Sequence, residues 1–269
     1  MKFIELEHQN DLNLPVLNEN SLFSFRCHPG VSCFNQCCHH LNLFLYPYDV
    51  IRLKNRLGMR SDIFLERHVD VVVRSGSFFP DVLLTMTEAG KHPCPFLTET
   101  GCSVYEDRPD ACRMFPLEQG MLYDAASKTS QAVYFFRPPE FCMGRHETSS
   151  WSPRTWIQDQ CAEMHNAMTV QWSEVCRLFN TNTVSSCPEN PWGNEGPQGP
   201  RAKMAFMAAY NIDEFRNFIF RSSFLKRYKI PSSVLNRAKS DDRELLLIGF
   251  AWIKYFLWHI SSPIIQPRR

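Results

Sequence analysis

The sequence predicts a mainly α protein with a few short strands (α+β), in which a cysteine-rich, irregular region precedes a helical C-terminal region. Three observations carry that expectation. Apolar residues recur at helical spacing in residues 46–69, in 152–180 and in three patches after residue 200. Apolar or alternating runs of strand length occur at only a few places. Between them, cysteines crowd together with Pro, Gly and Asp in stretches that follow neither period. The chain has 269 residues and 44% hydrophobic content, enough to bury a core without disulfides.

Residues 1–26 read as a lead-in with two apolar patches around Pro15, followed by a first cysteine cluster that ends in CCHH. In YPYDVIRLKNRLGMRSDIFLERHV (46–69), Val50, Ile51, Leu53 and Leu57 share one helical face. Gly58 is placed to end that helix, and Ser61 or Asp62 to cap a short second one. Residues 69–76 and 81–87 read as strands joined by the SGSFFP turn. A second cysteine-rich stretch, 94–117, mixes turn residues with thiols and reads as irregular backbone. Residues 131–142 offer a strand that ends at a Pro pair.

Residues 152–180 read as one long helix, with Ser152 as N-cap and Pro153 at the first position. Its apolar face holds Trp156, Cys161, Met164, Met168, Trp172, Val175 and Phe179. The Pro, Gly, Asn and Ser of 181–200 mark a linker. The expected organisation is a cysteine-cluster domain at 1–180, the linker, and helices over 201–269.

Net charge is +1, from 29 basic and 28 acidic residues, so no global field draws the chain to nucleic acid or a membrane surface. Segment 201–243 carries ten basic and four acidic residues. With Phe206, Phe215, Phe218 and Phe220 at helical spacing, it reads as a solvated face over a core. The N-terminus lacks a signal-peptide pattern, and the apolar run 245–260 is interrupted by Lys254. The expected setting is cytoplasmic, with no membrane span.

Eleven cysteines in a reducing compartment should stay as thiols, and thiols in tight packets point to metal binding. Eight are clustered: Cys27, Cys33, Cys37 and Cys38; Cys94, Cys102 and Cys112; and Cys142. Thiolates are soft donors that select zinc, copper(I) or iron–sulfur clusters. Eight suffice for two four-thiolate sites, or for one site with extra thiols nearby. Adjacent side chains diverge unless the backbone turns sharply, so Cys37 and Cys38 suit different irons of one cluster, or two metals, better than one small ion. The spacing C-x₅-C-x₃-C-C is neither a zinc-ribbon knuckle nor a usual ferredoxin motif. Cys161, Cys176 and Cys187 read as packing residues or, for Cys187, a linker thiol.

His28, His39 and His40 read as solvated loop residues, with a ligand or proton-relay role as the alternative. For Arg108 and Arg113 two readings stand: they offset thiolate charge, or they pair with Glu106, Asp107 or Asp110. Tyr105 reads as a packing residue. The sequence has no G-x-S-x-G, no H-E-x-x-H, no P-loop and no G-x-G-x-x-G, so it offers neither hydrolase machinery nor a nucleotide-cofactor motif.

The first cluster with YPYDVIRLKNRLG, and the block CPFL…GCSVYEDRPDACRMFP, resemble the CxxCxxCC family of zinc- or iron-chelating proteins, also called YkgJ-like cysteine-cluster proteins. Asp49, Cys94, Cys102, Tyr105, Arg108, Pro109, Cys112, Arg113 and Cys142 match its pattern, and the resemblance covers roughly residues 25–180. The loop between Cys27 and Cys33 is longer than the family name implies. The resemblance implies a metal-chelating domain. Some members are associated with flagellin lysine N-methylation and iron–sulfur binding. Three functions follow as expectations: a metal-binding module holding an iron–sulfur cluster or zinc, a redox or protein-modifying enzyme, and an adaptor whose metal is structural and whose C-terminal helices bind a protein partner.

Overall fold

The computed structural model describes residues 2–5, 15–73, 79–124, 126–127, 129–180 and 191–268. Residues 75–78 of the expected turn, Cys187 and the first half of the linker lie outside them. The chain is mainly helical with small sheets, the expected class. No described helix is long and apolar enough to cross a membrane.

The chain forms two compact units. One takes Met1–Leu43 and Thr85–Ser173, the other Phe44–Leu84 and Glu174–Arg269. The units are drawn differently from the expected sequence segments. Residues 44–84 group with the C-terminal helices, a long-range association that no local pattern encodes.

In the first unit, strand Leu117–Asp124 pairs antiparallel with Thr129–Phe136 and parallel with Lys2–Glu5. Strand Phe23–Ser24 pairs with Ser150–Trp151. The core joins Phe23, Phe25, Met114, Leu117, Tyr134 and Trp156, and it includes Cys33 and Cys142. Trp156 meets Phe25 edge-on at 5.6 Å and donates its indole N–H to the Met114 carbonyl at 3.1 Å. Burial of the ring therefore leaves its polar atom satisfied.

The expected helix at 152–180 is two helices, Pro153–Asp159 and Glu163–Asn180. Ser152 does cap the first: its hydroxyl accepts from Thr155 N–H at 3.2 Å. At the break Cys161 adopts φ 50°, with Cys161 N–H donating to Gln158 O and Ala162 N–H to Ile157 O. This is a Schellman ending with Cys where Gly is usual. The new phase turns Cys161 and Met164 outward, whereas Trp156, Met168, Trp172, Val175 and Phe179 stay buried.

In the second unit, strands Phe44–Leu45, Asp81–Leu84 and Val69–Val72 form an antiparallel sheet with Asp81–Leu84 central. Helix Pro47–Arg56 starts where Asp49 accepts the Tyr46 N–H at 2.8 Å, the acidic half of a capping box. Gly58, at φ 64°, ends it as expected, with Met59 N–H reaching back to Lys54 O at 3.0 Å. The next helix is Ser61–His68, preceded by Arg60. Ser61 is its first residue rather than its cap, and its hydroxyl bonds Asn211 Oδ1 at 2.7 Å.

Helices Pro200–Tyr210, Ile212–Arg221, Phe224–Arg227, Ser232–Ala238 and Asp242–Trp258 follow. Phe215 and Phe224 are buried around Trp252, 5.8 Å from each by ring centroids. Phe218 packs against both Phe224 and Trp252. Lys54 is buried, 3.2 Å from Asp213 and 3.0 Å from Asp242. Arg216 also bonds Asp242, and Arg237 bonds Glu244. Part of the basic excess of 201–243 is thus paired inside the unit.

Candidate metal centre

All eight clustered cysteines fall in the first unit, and all are free thiols. Cys37 and Cys38 sit in a 3₁₀ turn, Gln36–Cys38, entered through Asn35 at φ 64°. That sharp turn overrides the divergence expected of neighbouring side chains. The Cys38 thiol donates to the Cys37 sulfur, which lowers Cys37 to about 7 and raises Cys38 well above its ordinary value.

The second stretch is more regular than expected. A small hairpin joins Leu97–Thr98 to Gly101–Cys102, a 3₁₀ turn covers Tyr105–Asp107, and helix Asp110–Met114 carries Cys112. Cys142 is buried just before a 3₁₀ turn, Met143–His146.

Backbone amides point at several sulfurs. Met143 N–H donates to Cys33 Sγ at 3.1 Å. Burial raises the Cys94 thiol against the opposing pull of the Phe96 and Leu97 amides. Burial likewise raises Cys102, opposed by the Val104 amide and the Arg108 charge. It raises Cys142, opposed by the Gly144 and Arg145 amides. Cys27 is exposed as a residue, yet crowding of its sulfur by protein lifts it to about 11, followed by repulsion from Cys37, Cys33 and Cys142. Amides and a guanidinium favour thiolate here, and removal from water opposes it. A thiophilic cation would supply attraction of the kind such thiols need in order to ionise.

The arginines divide between the two readings. Arg108 lies over the Tyr105 ring at 3.9 Å and bonds Tyr105 O and Gln160 Oε1, while its charge favours the Cys102 thiolate. Arg113 bonds the backbone carbonyls of Glu106 and Gln160, and the acid its charge acts on is Asp110. Gln160 thus holds both guanidinium groups, a role with no local signal in sequence. Tyr105 is 54% exposed and serves as a platform for Arg108, not as core.

The histidines make loop contacts. His28 Nε2 is 3.6 Å from Glu147, and His39 Nδ1 is 3.1 Å from Asn35 O. His40 is exposed, its ring 5.0 Å from that of His92, a neighbour the sequence did not single out. Cys161 is exposed at the helix break, and Cys176 lies in the other unit with its thiol raised by burial to about 12. Neither joins the eight. Among the described residues, no three Cys, His, Asp or Glu side chains stand close enough together to hold one ion.

The donor chemistry nevertheless fits a soft metal, and a reduced, amide-supported thiol set in one small unit is that of a cysteine-cluster chelating domain. The family model for CxxCxxCC, described as "Putative zinc- or iron-chelating domain", matches residues 26–162, just over half of the chain. The chain belongs to that family. Neither a search of curated proteins nor one of solved structures finds a match.

Proposed function

We propose that the first unit is a metal-binding module in which Cys27, Cys33, Cys37, Cys38, Cys94, Cys102, Cys112 and Cys142 supply thiolate ligands to an iron–sulfur centre or zinc. The observation that carries this reading is the gathering of eight free thiols, from three separated segments, into one unit. Cysteines that merely pack have no reason to cluster in short Pro- and Gly-rich segments of one unit, and only Cys33 and Cys142 of the eight are buried. The spacing matches neither a zinc-ribbon knuckle nor a usual ferredoxin motif, so iron–sulfur and zinc stand as the two alternatives the test separates. Such a module works where thiols remain reduced, as in cytoplasm.

In this reading the protein's own contribution is to hold the sulfurs, to aim amides at Cys33, Cys94, Cys102 and Cys142, and to place Arg108 beside Cys102. The bound group supplies the cationic charge that lets buried thiols ionise together.

The test is anaerobic purification followed by elemental analysis, sulfide assay and an absorption spectrum. Iron with labile sulfide identifies a cluster. Stoichiometric zinc in a colourless protein identifies a closed structural site. Folded protein with eight free thiols and no metal overturns the reading.

A further inference from the structure

Charge pairing in the helical unit is lopsided. Asp213 and Asp242 flank Lys54, Glu214 meets Arg60, and Glu174 meets Lys254. Residues 215–240, by contrast, hold seven Lys or Arg and no Asp or Glu, and 245–269 add no acid. Two of the seven, Arg216 and Arg237, reach out of the stretch to Asp242 and Glu244. Arg221, Lys226, Arg227 and Lys229 stay exposed, and among the described residues no carboxylate pairs with them. Strand Tyr228–Lys229 pairs antiparallel with Gln266–Pro267, and Arg268 N–H donates to Arg227 O at 2.7 Å. That pairing brings a further exposed cation, Arg268, to the group.

Charge alone is what any solvated face presents. The cavity beside these cations is not. Its volume is about 330 Å³, and it is partly open to solvent. Phe218, Phe224, Trp252 and Phe256 line it, with Ser223 and Arg227 as exposed members of the lining. Trp252 stacks on Phe256 at 4.8 Å and meets Phe224 edge-on at 5.8 Å, so the aromatic walls brace one another.

We infer that this face binds an acidic peptide segment of a partner protein, whose carboxylates meet Arg221, Lys226, Arg227, Lys229 and Arg268 while one apolar side chain enters the cavity. The cations exceed what one small anion neutralises, and together they steer a polyacidic segment toward the face. The volume is at the small end for ligand pockets and suits a single anchoring side chain. Among the described residues none of the large exposed hydrophobics lies beyond Met164, so the face lacks the apolar residues that enter a membrane. Phe224 and Trp252 are buried and offer no open platform on which nucleic-acid bases stack. The inference concerns the helical unit alone and does not depend on the thiols binding metal.

The test is fluorescence polarisation on the full-length protein, with a labelled peptide of glutamates around one phenylalanine as the probe. Affinity should fall as salt is raised, and exchange of the peptide's phenylalanine for alanine should weaken binding about tenfold. Lys226→Glu/Arg227→Glu should weaken it about tenfold or more. Ser223→Trp, a change at an exposed position of the lining, should erase the difference between the two peptides by filling the cavity. A denaturant midpoint matching wild type shows that each variant is folded. Absence of binding, insensitivity to salt, or equal binding of the two peptides by wild type overturns the inference without recourse to a variant. Tighter binding of oligouridylate or of phosphatidylserine vesicles than of the peptide overturns it in favour of nucleic acid or a lipid surface.

Discussion

In the helical unit, Trp252 is 1% exposed among Phe215, Phe218 and Phe224, and the buried Lys54 ammonium is flanked by Asp213 and Asp242. In the thiol-bearing unit, the segments that carry the cysteines have strands of two residues, 3₁₀ turns and a five-residue helix. Its apolar core lies around Trp156 and includes only Cys33 and Cys142 of the eight. One unit is held by side chains it already owns. The other leaves its cysteine segments short of regular structure and, in the proposed reading, is completed by metal. Local order is therefore decided by packing in the first case and by coordination in the second.

The largest expected effect is of metal removal, because structural thiolate sites contribute on the order of 10 kcal/mol to the folds they close. Limited proteolysis after chelation should cut within 27–38, 94–112 or 138–146 while helix Asp242–Trp258 stays intact. Equal cutting in both regions would break the comparison. Next, Trp252→Ala should cost about 3–5 kcal/mol, read as a fall in denaturant midpoint, with metal content per folded chain unchanged. A parallel loss of metal would show that the two modes of stabilisation are not separable.

Lys54→Met should cost about 3 kcal/mol, because it leaves Asp213 without its ammonium and Asp242 with only Arg216 as a cation, beside the Asn55 amide. Burial pushes the Asp213 carboxyl up, but the Ser61 amide and Lys54 outweigh it and hold the group below its ordinary 3.8. A depressed carboxyl contributes stability that is present above 3.8 and lost as pH falls through the folded value. The advantage of wild type over Asp213→Asn, measured by urea melts, should therefore be level near neutrality and shrink in acid below about pH 4. The smallest effect is expected at Cys161→Gly, which relieves a left-handed conformation at a helix end and should stabilise by about 1 kcal/mol without changing metal content. A loss of metal there would add Cys161 to the ligands.

These two regions were also unequally legible. Gly58 and Ser152 announce a helix end and a helix start because the residue type itself meets the backbone requirement. The break at Cys161 has the same geometry as Gly58, but Cys carries no such signal, so a continuous apolar period concealed it. Strand Leu117–Asp124 passed unnoticed because Gly120 and Gln119 interrupt its apolar pattern, and its partner Thr129–Phe136 supplies the pairing. The clustering of eight cysteines is visible in the sequence, since clustering is a one-dimensional property. Contacts such as Cys94 N–H with Cys38 O, across more than fifty residues, are not. The association of 44–84 with the C-terminal helices was hidden for the same reason.

That last association has a consequence in time. The thiol-bearing unit is interrupted by residues 44–84, so its first four cysteines leave the ribosome well before their companions. At about 5–20 residues per second, Cys142 follows Cys38 by roughly 5–20 s. During that interval Cys27, Cys33, Cys37 and Cys38 form a soft-donor quartet on an unfinished chain. In the proposed reading the full set of thiols exists only once Cys142 has emerged, so metal loading is completed late in synthesis.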